Sequence, residues 1–538
     1  MTVSQRAVAA ADAVRRAIPL PTGFHPYVWA PTSEEIAARH GLRPEQIVRY
    51  DQNTPPFAGV PQIPLAESFA RLNEYPDGSY RVLLEAAALY VGEGIARDQI
   101  VVGAGADQLI YLCARAFLAP GRRAAISNPT YVVYKEATQL VGAELSEEVA
   151  GADLIWRCNP NNPTGEAVPA RELVALARDH PDVPIVVDEA YVEYGGESVV
   201  PFIAEARNLI ALRTLSKAFG FASLRVGYAV AAPEVAALLQ ERREPAPVSG
   251  PAAKIAAAAL RDAQLDVESV VAERERVRES LLAAGYDVPA TATNFVYLRS
   301  DETLADRLES QGLVVRRVSG GIRITLRNPS DDDLILRALG VEPGSPRGRS
   351  ATMIRTTTET ALRVTLDLDG KGRARIATGI GFLDHLLTLM AFQARFDLEV
   401  LAGGDLDVDE HHTVEDVLAS LGDAVTGALG TRDGVTRYGS ATVPMDEARA
   451  VAAVDLVRRP HAEISLTFAG DRVGGLALTL LPHALERFAM QAGCTVHVEA
   501  SGRDDHHVAE AAFKALGRAL RDACAVGGVG IQSTKGEA

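Results

Sequence analysis

Short apolar runs alternate with alanine-rich segments through the first two thirds of this chain. The runs are rich in β-branched residues and read IVVGAG, AAISN, LIWRCNP, PIVVDEA and NLIALRTLS. Strands that alternate with helical segments are typical of a parallel sheet with helices on both faces. The pattern therefore predicts an α/β fold that binds its ligands beyond the carboxyl ends of the strands.

Polar residues fall where these strands are predicted to end. Residues 103–107, GAGAD, lead from the first run into an apolar helix, and a glycine turn at a helix N-terminus is a ready anion site. Asp188 ends the run PIVVD, and Tyr191 follows it. Such loops are most often plain turns and such carboxylates helix caps, although Asp188 could also pair with a protonated ring nitrogen.

Residues 214–228, TLSKAFGFASLRVGY, place Lys217 between small and hydroxyl-bearing residues. A lysine amine can form a Schiff base with an aldehyde when its pKa is lowered. Thr214, Ser216 and Arg225 could together hold a phosphate through hydroxyl groups and a planar guanidinium. A Ser-Lys pair alone is common and usually lies on the surface, so the chemical interpretation depends on the other motifs.

Together these motifs resemble the fold-type I pyridoxal-phosphate aminotransferases, and most closely the histidinol-phosphate aminotransferase group. The resemblance covers about residues 10–340, and the ordered set GAGAD, PTY, NPNNPTG, DEAY, TLSKAFG and IRIT carries it. It implies that Lys217 binds pyridoxal 5'-phosphate as a Schiff base and that Asp188 holds the pyridinium proton. It also implies that Asn162 and Tyr191 hold the ring hydroxyl.

The same resemblance implies the remaining contacts of this half. The further cofactor-binding residues are Ala106 (through its backbone), Asp107, Tyr131, Thr214, Ser216, Arg225 and Tyr75, the last reaching the cofactor of a partner subunit. The substrate-binding residues are Tyr27, Arg316 and Arg323. Taken by itself, this half could also transaminate aromatic amino acids or decarboxylate phosphothreonine.

Residues 341–350, VEPGSPRGRS, lack apolar periodicity and are rich in proline, glycine and serine. This composition predicts a linker between two domains. The predicted limits are an aminotransferase domain over 1–340, a linker over 341–350, a second domain over 351–527 and a flexible tail over 528–538.

The last third contains an internal repeat. The pattern HHxxE occurs twice, at residues 411–415 and 506–510, and each copy is followed by a helical segment. On a helix, residues i and i+4 share a face while neighbours point about 100° apart. Each copy therefore offers one histidine and its glutamate to one ion and directs the other histidine towards a second ion. The candidate ligands are His385, His411, His412, Glu415, His497, His506, His507 and Glu510.

A single HHxxE is most often a polar helix start, but its duplication favours two metal sites. Mixed imidazole and carboxylate ligation suits Mn, Fe, Co or Zn, and the residues alone do not rank these metals.

Residues 349–525 resemble imidazoleglycerol-phosphate dehydratase, through RTTTET, GFLDHLL, HHTVED, RYG, PMDEA and HHVAEAAFKA in that order. The resemblance implies a two-manganese site and an α+β domain built by internal duplication. One ion would take His385, His412, His506 and Glu510, and the other His411, Glu415, His497 and His507. Arg437, Arg459 and Lys514 would bind the substrate phosphate, and Glu359 would lie near the reacting carbons.

Both resemblances imply oligomers, namely aminotransferase dimers within a 24-subunit dehydratase shell. The two activities would be consecutive steps of histidine biosynthesis, with imidazoleglycerol phosphate, imidazole acetol phosphate and glutamate as substrates. A non-catalytic regulator with a cofactor-sensing domain and a metal-binding module is the alternative from another class.

Charge and composition exclude some classes of protein. A length of 538 residues predicts more than one domain. A net charge of −16 argues against general nucleic-acid binding. The four cysteines form no CxxC pair, and the chain has no apolar run of membrane-spanning length, so we expect a cytoplasmic protein that binds no membrane.

Overall fold

The computed structural model of the chain describes residues 20, 21, 24, 30–55, 69, 71–92, 94–263, 265–300, 303–344 and 348–527. The chain divides into two compact units. The first comprises residues 1–30, 58–267 and 289–297, and the second comprises 31–57, 268–288 and 298–538. The second unit thus groups parts of the first two thirds of the chain with the last third. The domain limits drawn from the sequence stay a prediction.

A seven-stranded sheet lies at the centre of the first unit. Its strands, in spatial order, are Ile100–Gly103, Gly227–Ala231, Leu209–Thr214, Ile185–Asp188, Leu154–Cys158, Arg123–Ala125 and Glu144–Ser146. Gly227–Ala231 runs antiparallel to both neighbours, and the other pairs are parallel. The predicted α/β fold with a mostly parallel sheet is confirmed.

Side chains of this sheet alternate between two apolar cores. Ile155 and Val187 belong to one core, whereas Leu154, Trp156 and Val186 belong to the other. This alternation explains why the strands are continuous apolar runs, since both faces are covered. The helices of the unit are Arg81–Val91, Gly105–Phe117, Val132–Leu140, Ala170–Asp179, Pro233–Arg242 and Gly250–Arg261, with short 3₁₀ turns at Arg97–Gln99, Val192–Tyr194, Val200–Phe202 and Ala222–Leu224.

The second unit begins with elements from the first two thirds of the chain. Its helices there are Ser33–His40, Val267–Ala283 (from its second residue), Thr303–Glu309 and Pro329–Ala338, with a 3₁₀ turn at Pro44–Gln46. The strands are Val48–Arg49, Leu313–Val314, Arg316–Val318, Gly321–Thr325 and the last residues of Phe295–Arg299. In the predicted linker, Gly344 accepts a hydrogen bond from Arg276 Nη1 at 2.8 Å and donates one to Ser280 Oγ at 3.2 Å.

The remainder of the second unit is built from two copies of one motif. The first copy has strands Ser350–Thr356, Thr360–Asp367, Ala374–Ala377 and Asp397–Gly404, with helices Gly381–Ala394 and His411–Leu429. The second has strands Tyr438–Met445, Ala448–Asp455, His461–Leu466 and Thr495–Ser501, with helices Leu480–Ala492 and Asp505–Cys524, and a small extra hairpin, Arg472–Val473 and Leu476–Ala477. Both four-stranded sheets have the spatial order first, second, fourth, third, and in both the third and fourth strands are parallel. The predicted internal duplication is therefore present in the fold.

Buried charges join the two sequence regions inside the second unit. Asp331, on the helix Pro329–Ala338, is fully buried and contacts Arg327 Nε at 2.6 Å and Arg363 Nη1 at 3.4 Å. Thr352 donates a hydrogen bond to the same carboxylate at 2.9 Å. Arg363 also pairs with the buried Glu399 at 2.5 Å. The strands after residue 350 are thus held against the preceding helix by paired, desolvated ions.

Replacing Asp331 by asparagine should lower the free energy of unfolding by about 3 kcal/mol, because two buried guanidinium groups lose a counter-ion. Burial acts to raise the pKa of Asp331, but Arg327 and Arg363 outweigh it and lower that pKa. The stabilisation is then complete above the unfolded-state pKa of about 3.9 and is lost as the pH falls through the lower folded-state pKa. Chemical denaturation at neutral and acidic pH measures both effects.

The matched control is Asp306→Asn, because Asp306 pairs with Arg317 on the surface. Solvent screens that pair, so the change should matter little. Equal stability losses in the two variants would contradict the role given to Asp331.

Among the described helices, none combines the length and the apolar character needed to cross a membrane.

Candidate active sites

Lys217 lies in the turn that follows the strand Leu209–Thr214. Its Nζ is 5.4 Å from the centroid of the Tyr191 ring, which follows the neighbouring parallel strand Ile185–Asp188. The carboxyl ends of parallel strands meet at one edge of a sheet, which brings these residues together. The lysine therefore reaches the strand-end position that the sequence predicts.

Hydroxyl and guanidinium donors cluster beside this lysine. Thr214 Oγ1 donates to Ser216 Oγ at 3.0 Å, and Arg225 Nη1 lies 3.5 Å from the same Ser216 oxygen. Gly105 opens the helix Gly105–Phe117 with a φ of +77°, and a Cβ there would lie 2.7 Å from Arg225 Nη2. A glycine is thus required for the guanidinium to approach the helix N-terminus, where free backbone N–H groups attract an anion.

Asp107 links this cluster to Tyr131. Its carboxylate accepts a hydrogen bond from Tyr131 OH at 3.0 Å and one from Arg225 Nη2 at 3.0 Å. Ala106 precedes Asp107 in the first turn of the same helix. The predicted phosphate-binding residues therefore converge on one helix end.

Asp188 is a buried carboxylate beside the lysine loop. Burial raises the pKa of Asp188 to about 6, although hydrogen bonds from Tyr134 OH at 2.7 Å and Ala190 N–H at 3.1 Å act against that rise. A desolvated carboxylate with this raised pKa favours a cationic or protonated partner. The environment fits the predicted pairing of Asp188 with a protonated ring nitrogen.

Tyr134 is a residue that the sequence analysis missed. It is fully buried, and its ring stacks on Trp156 with centroids 5.3 Å apart. Tyr131 is the N-cap residue of the helix Val132–Leu140 and Tyr134 lies in its first turn, with the two ring centroids 5.7 Å apart.

The other predicted residues of this half are distributed as follows. Asn162 is buried after the strand Leu154–Cys158, and Tyr75 is 96% exposed in the single chain. Arg316 and Arg323 face each other across antiparallel strands in the second compact unit, where Arg323 Nη2 donates to the carbonyl of Asp51 at 2.8 Å. Tyr27 lies outside the described residues.

In the second unit, His385, His506 and Glu510 form one potential metal-binding group, with ligand atoms within 4.8 Å of one another. Glu510 Oε1 lies 2.6 Å from His385 Nε2 and 3.0 Å from His506 Nε2. Burial acts to raise the pKa of Glu510, but hydrogen bonds from His385, Lys514 and His506 outweigh it and lower the pKa to about 2. Two imidazole nitrogens and an ionised carboxylate suit a divalent metal.

His411, Glu415 and His483 form the corresponding second group. Glu415 Oε2 lies 3.5 Å from His411 Nε2 and 3.1 Å from His483 Nε2. In each group the histidine and glutamate of one HHxxE copy share a helix face, as the helical period predicts. The third ligand comes from the first helix of the other copy of the motif.

Two equivalent glycines let these helices pass close together. A Cβ on Gly422 would lie 2.5 Å from the carbonyl oxygen of Phe488, and one on Gly517 would lie 2.5 Å from that of Met390. Each glycine stands eleven residues after the first histidine of its HHxxE. Three helical turns separate the two, so glycine and histidine lie on the same face. These close helix crossings place the third potential ligand, His483 or His385, beside the histidine and glutamate of the corresponding HHxxE copy.

His483, rather than the predicted His497, completes the group around Glu415. His497 lies on the strand Thr495–Ser501, with its ring centroid 6.1 Å from that of His461. The sequence analysis placed His497 as the counterpart of His385. In the fold, the counterpart of His385 is His483, because both lie on the helix before the fourth strand of their copy.

Replacing His483 by alanine should therefore reduce the metal content from two ions per chain to one, whereas His497→Ala should keep both. The physical reason is that His483 Nε2 lies 3.1 Å from Glu415 Oε2, whereas the ring of His497 lies on a strand beside His461 and belongs to neither described group. Metal analysis of the purified, folded variants measures this difference. Loss of metal from the His497 variant alone would restore the original assignment.

His412 and His507 have acidic neighbours instead of places in these groups. His412 Nδ1 lies 3.0 Å from Asp405 and His507 Nδ1 lies 3.0 Å from Glu447. Hydrogen bonds to these carboxylates raise the pKa of both histidines. Each HH pair therefore directs its rings apart, and the role of the second ring as a metal ligand stays a prediction.

The predicted phosphate-binding residues are not brought together within one chain. Lys514 Nζ lies 2.5 Å from Glu510 and 3.2 Å from Met445 Sδ, at the end of the strand Tyr438–Met445. Arg437 precedes the other end of that strand, and eight extended residues span roughly 25 Å. Arg459 follows the paired strand at the end near Arg437.

Glu359, the predicted residue near the reacting carbons, lies in the turn after the strand Ser350–Thr356. Its Oε2 is 3.8 Å from His412 Nε2. The carboxylate is therefore close to one predicted metal ligand.

Comparison with known proteins agrees with both halves of this description. The family model for aminotransferase class I and II matches residues 46–339, and the model for imidazoleglycerol-phosphate dehydratase matches residues 378–520. An imidazoleglycerol-phosphate dehydratase of Magnetococcus marinus is 49% identical over 193 residues, which cover 35% of this chain and 97% of that protein. The enzyme of the same description from Chloroflexus aggregans is 52% identical over 193 residues, 35% of this chain and 94% of its own length.

A solved structure supports the first half. Histidinol-phosphate aminotransferase from Sinorhizobium meliloti, in complex with pyridoxal 5'-phosphate, aligns with a TM-score of 0.53 and 25% identity, over 60% of this chain and 96% of that one. Fold and sites thus define a chain with an aminotransferase half and a dehydratase half. The chain belongs to the class I and II aminotransferases and to the imidazoleglycerol-phosphate dehydratases.

Proposed function

We propose that this chain is a bifunctional enzyme of histidine biosynthesis. The dehydratase half converts imidazoleglycerol phosphate into imidazole acetol phosphate. The aminotransferase half then transfers an amino group from glutamate to that ketone, which gives histidinol phosphate and 2-oxoglutarate. The proposal rests on one observation: a single chain carries the residue sets of both reactions. The product of the dehydration is the substrate of the transamination.

The residues around Lys217 fit pyridoxal 5'-phosphate. The lysine offers an amine to an aldehyde, Thr214, Ser216 and Arg225 offer donors to a phosphate, and Asp188 offers a carboxylate to a protonated ring nitrogen. When bound, this cofactor supplies an electron sink next to the substrate carbon. Lys217 Nζ would hold the cofactor and then move the proton between substrate carbon and cofactor. Tyr134 orients Asp188 through its hydrogen bond of 2.7 Å.

The two His/Glu groups fit divalent metals, and we propose manganese. Bound metals supply positive charge that stabilises a negatively charged imidazole ring. The reaction removes the hydroxyl group from the carbon next to the ring and a proton from the neighbouring carbon, which keeps its own oxygen. The resulting enol becomes the ketone, and the hydroxyl group leaves as water. The Glu359 carboxylate, beside His412, is the candidate to take that proton.

We also propose that subunit contacts complete the dehydratase site. His412 and His507 stand outside the two groups, and Lys514 and Arg437 lie at opposite ends of one strand. A 24-subunit shell containing aminotransferase dimers would bring such surfaces together, since octahedral symmetry has two-fold axes. Light scattering should show a large particle that shrinks to dimers when metal is chelated. A metal-loaded, active monomer would contradict this assembly.

The test of the proposed function supplies imidazoleglycerol phosphate, glutamate, pyridoxal 5'-phosphate and Mn²⁺ to the full chain. Histidinol phosphate and 2-oxoglutarate should appear in equal amounts. Without Mn²⁺ both should be absent, whereas imidazole acetol phosphate added directly should still be transaminated. Faster transamination of an aromatic 2-oxo acid than of imidazole acetol phosphate would overturn the assignment of the aminotransferase half.

A further inference from the structure

A cavity of about 390 Å³ lies in the second compact unit, and none of its lining residues belongs to either His/Glu group. Its lining comes from two distant regions, residues 33–55 with Arg327 and residues 363–402. The first region and Arg327 precede the predicted linker at residues 341–350, and the second region follows it. Pockets for small metabolites occupy about 300–1,000 Å³. The cavity therefore has the size of a metabolite site and requires both halves of the chain.

Four guanidinium groups line this cavity, from Arg49, Arg327, Arg363 and Arg375. Arg49 is paired with Asp51, with Nη2 to Oδ2 at 2.6 Å. The other three surround two carboxylates behind the lining, and this arrangement decides the local charge.

Glu399 contacts Arg327 at 3.6 Å, Arg363 at 2.5 Å and Arg375 at 2.9 Å. Asp331 contacts Arg327 and Arg363. Three guanidinium groups thus share two carboxylates, which leaves one net positive charge at the wall.

One donor of this wall is unsatisfied. Arg363 is 3% exposed, and its Nε has no hydrogen-bond partner. Buried polar groups in folded proteins are normally hydrogen-bonded, so this unpaired donor adds uncompensated positive potential to the wall. Arg375 is 62% exposed, and its planar fork retains donors beyond its single bond to Glu399.

Acidic groups complete the lining. Glu34 and Glu45 contribute carboxylates from the segment that carries Arg49. Glu45 lies against the dehydratase half, because a Cβ on Gly403 would be 2.8 Å from Glu45 Oε1. The lining thus combines an arginine wall with net positive charge and two carboxylates suited to an ammonium group.

We propose that this cavity binds a small zwitterionic metabolite. Its anionic oxygen group, a carboxylate or a phosphate, accepts hydrogen bonds from Arg327, Arg363 and Arg375, and its ammonium group pairs with Glu34 and Glu45. Planar guanidinium groups bind both kinds of oxyanion through two parallel hydrogen bonds. The site requires both parts of the chain, since Glu34 and Glu45 precede the predicted linker whereas Arg363 and Arg375 follow it.

The test uses calorimetry on the full chain loaded with metal and pyridoxal 5'-phosphate. L-histidine is the carboxylate probe, because it carries both charged groups and lies downstream of the proposed function. Histamine keeps its amine and ring but lacks the carboxylate. Inorganic phosphate is the second anion source and does not depend on the proposed function.

Arg375→Glu is the diagnostic variant, because this side chain is exposed and Glu399 keeps its contacts with Arg327 and Arg363. L-histidine should bind the wild type at one site per chain that this variant weakens at least about tenfold, whereas histamine should bind both proteins equally. If phosphate binds at the Arg375-dependent site and L-histidine does not, the anion is a phosphate.

Arg337→Glu is the matched control, since Arg337 is 60% exposed, pairs with Asp333 and does not line the cavity. It should bind both anions as the wild type does. The proposal is overturned if Arg375→Glu binds L-histidine and phosphate as the wild type does, or if no site depends on Arg375.

Discussion

Replacing Lys217 by alanine should reduce transamination of imidazole acetol phosphate by at least about 10³-fold, as expected when a covalent catalytic group is lost. The change removes the amine that would hold the cofactor and move the substrate proton. Dehydration should continue at the wild-type rate, because the His/Glu groups lie in the other compact unit. Separate assays with imidazole acetol phosphate and with imidazoleglycerol phosphate measure the two effects.

Lys135→Ala is the control for this experiment, because Lys135 is an exposed lysine on the helix Val132–Leu140 of the same unit. Both activities should be retained in that variant. If a folded Lys217→Ala protein loses both activities equally, the two sites are not independent and the proposed division is wrong. Borohydride should also fix cofactor to the wild type and not to the Lys217 variant.

Glu510→Gln should release one metal ion per chain and lower the dehydration rate by at least about 100-fold. The variant loses a negatively charged ligand and the carboxylate that orients the neighbouring side chains. In the wild type, the carboxylate lies within 3.0 Å of His385, His506 and Lys514. A neutral amide of the same shape keeps the packing but cannot balance the metal charge. Metal analysis and the dehydratase assay test the two consequences.

Glu463→Gln is the matched change, since Glu463 is exposed on the strand His461–Leu466 and belongs to neither group. It should keep two ions and full activity. The Glu415→Gln variant should behave like Glu510→Gln, because the two groups are equivalent by duplication. Retention of both ions in either glutamate variant would show that the carboxylates are not ligands.

The sequence predicted where the candidate residues of the first site lie. Lys217, Asp188, Thr214 and Ser216 lie at or just after the ends of parallel strands, and strand ends are recognisable from apolar runs. Tyr134 was missed because its role depends on the contact of its hydroxyl with Asp188, 54 residues away. No local pattern encodes a hydrogen bond across that distance.

In the second unit, the 3.6-residue period of the helix was enough to predict which histidine shares a face with its glutamate. The same period predicted that the two rings of each HH pair would diverge. Choosing between His483 and His497 required the fold, because the choice depends on which helix crosses beside Gly422. His497 lies on a strand instead. Its position shortly before the second HHxxE copy did not show that it would lie outside the metal-binding group.

The sequence by itself therefore determined the two families, the duplicated motif and most of the candidate ligands, because periodicity and motif order are local properties. The tertiary structure alone decided three further points. It replaced His497 by His483, it separated Lys514 from Arg437, and it formed the arginine-lined cavity from residues hundreds of positions apart. Each of these points depends on which surfaces pack together, and packing is fixed by contacts between elements that the linear order does not specify.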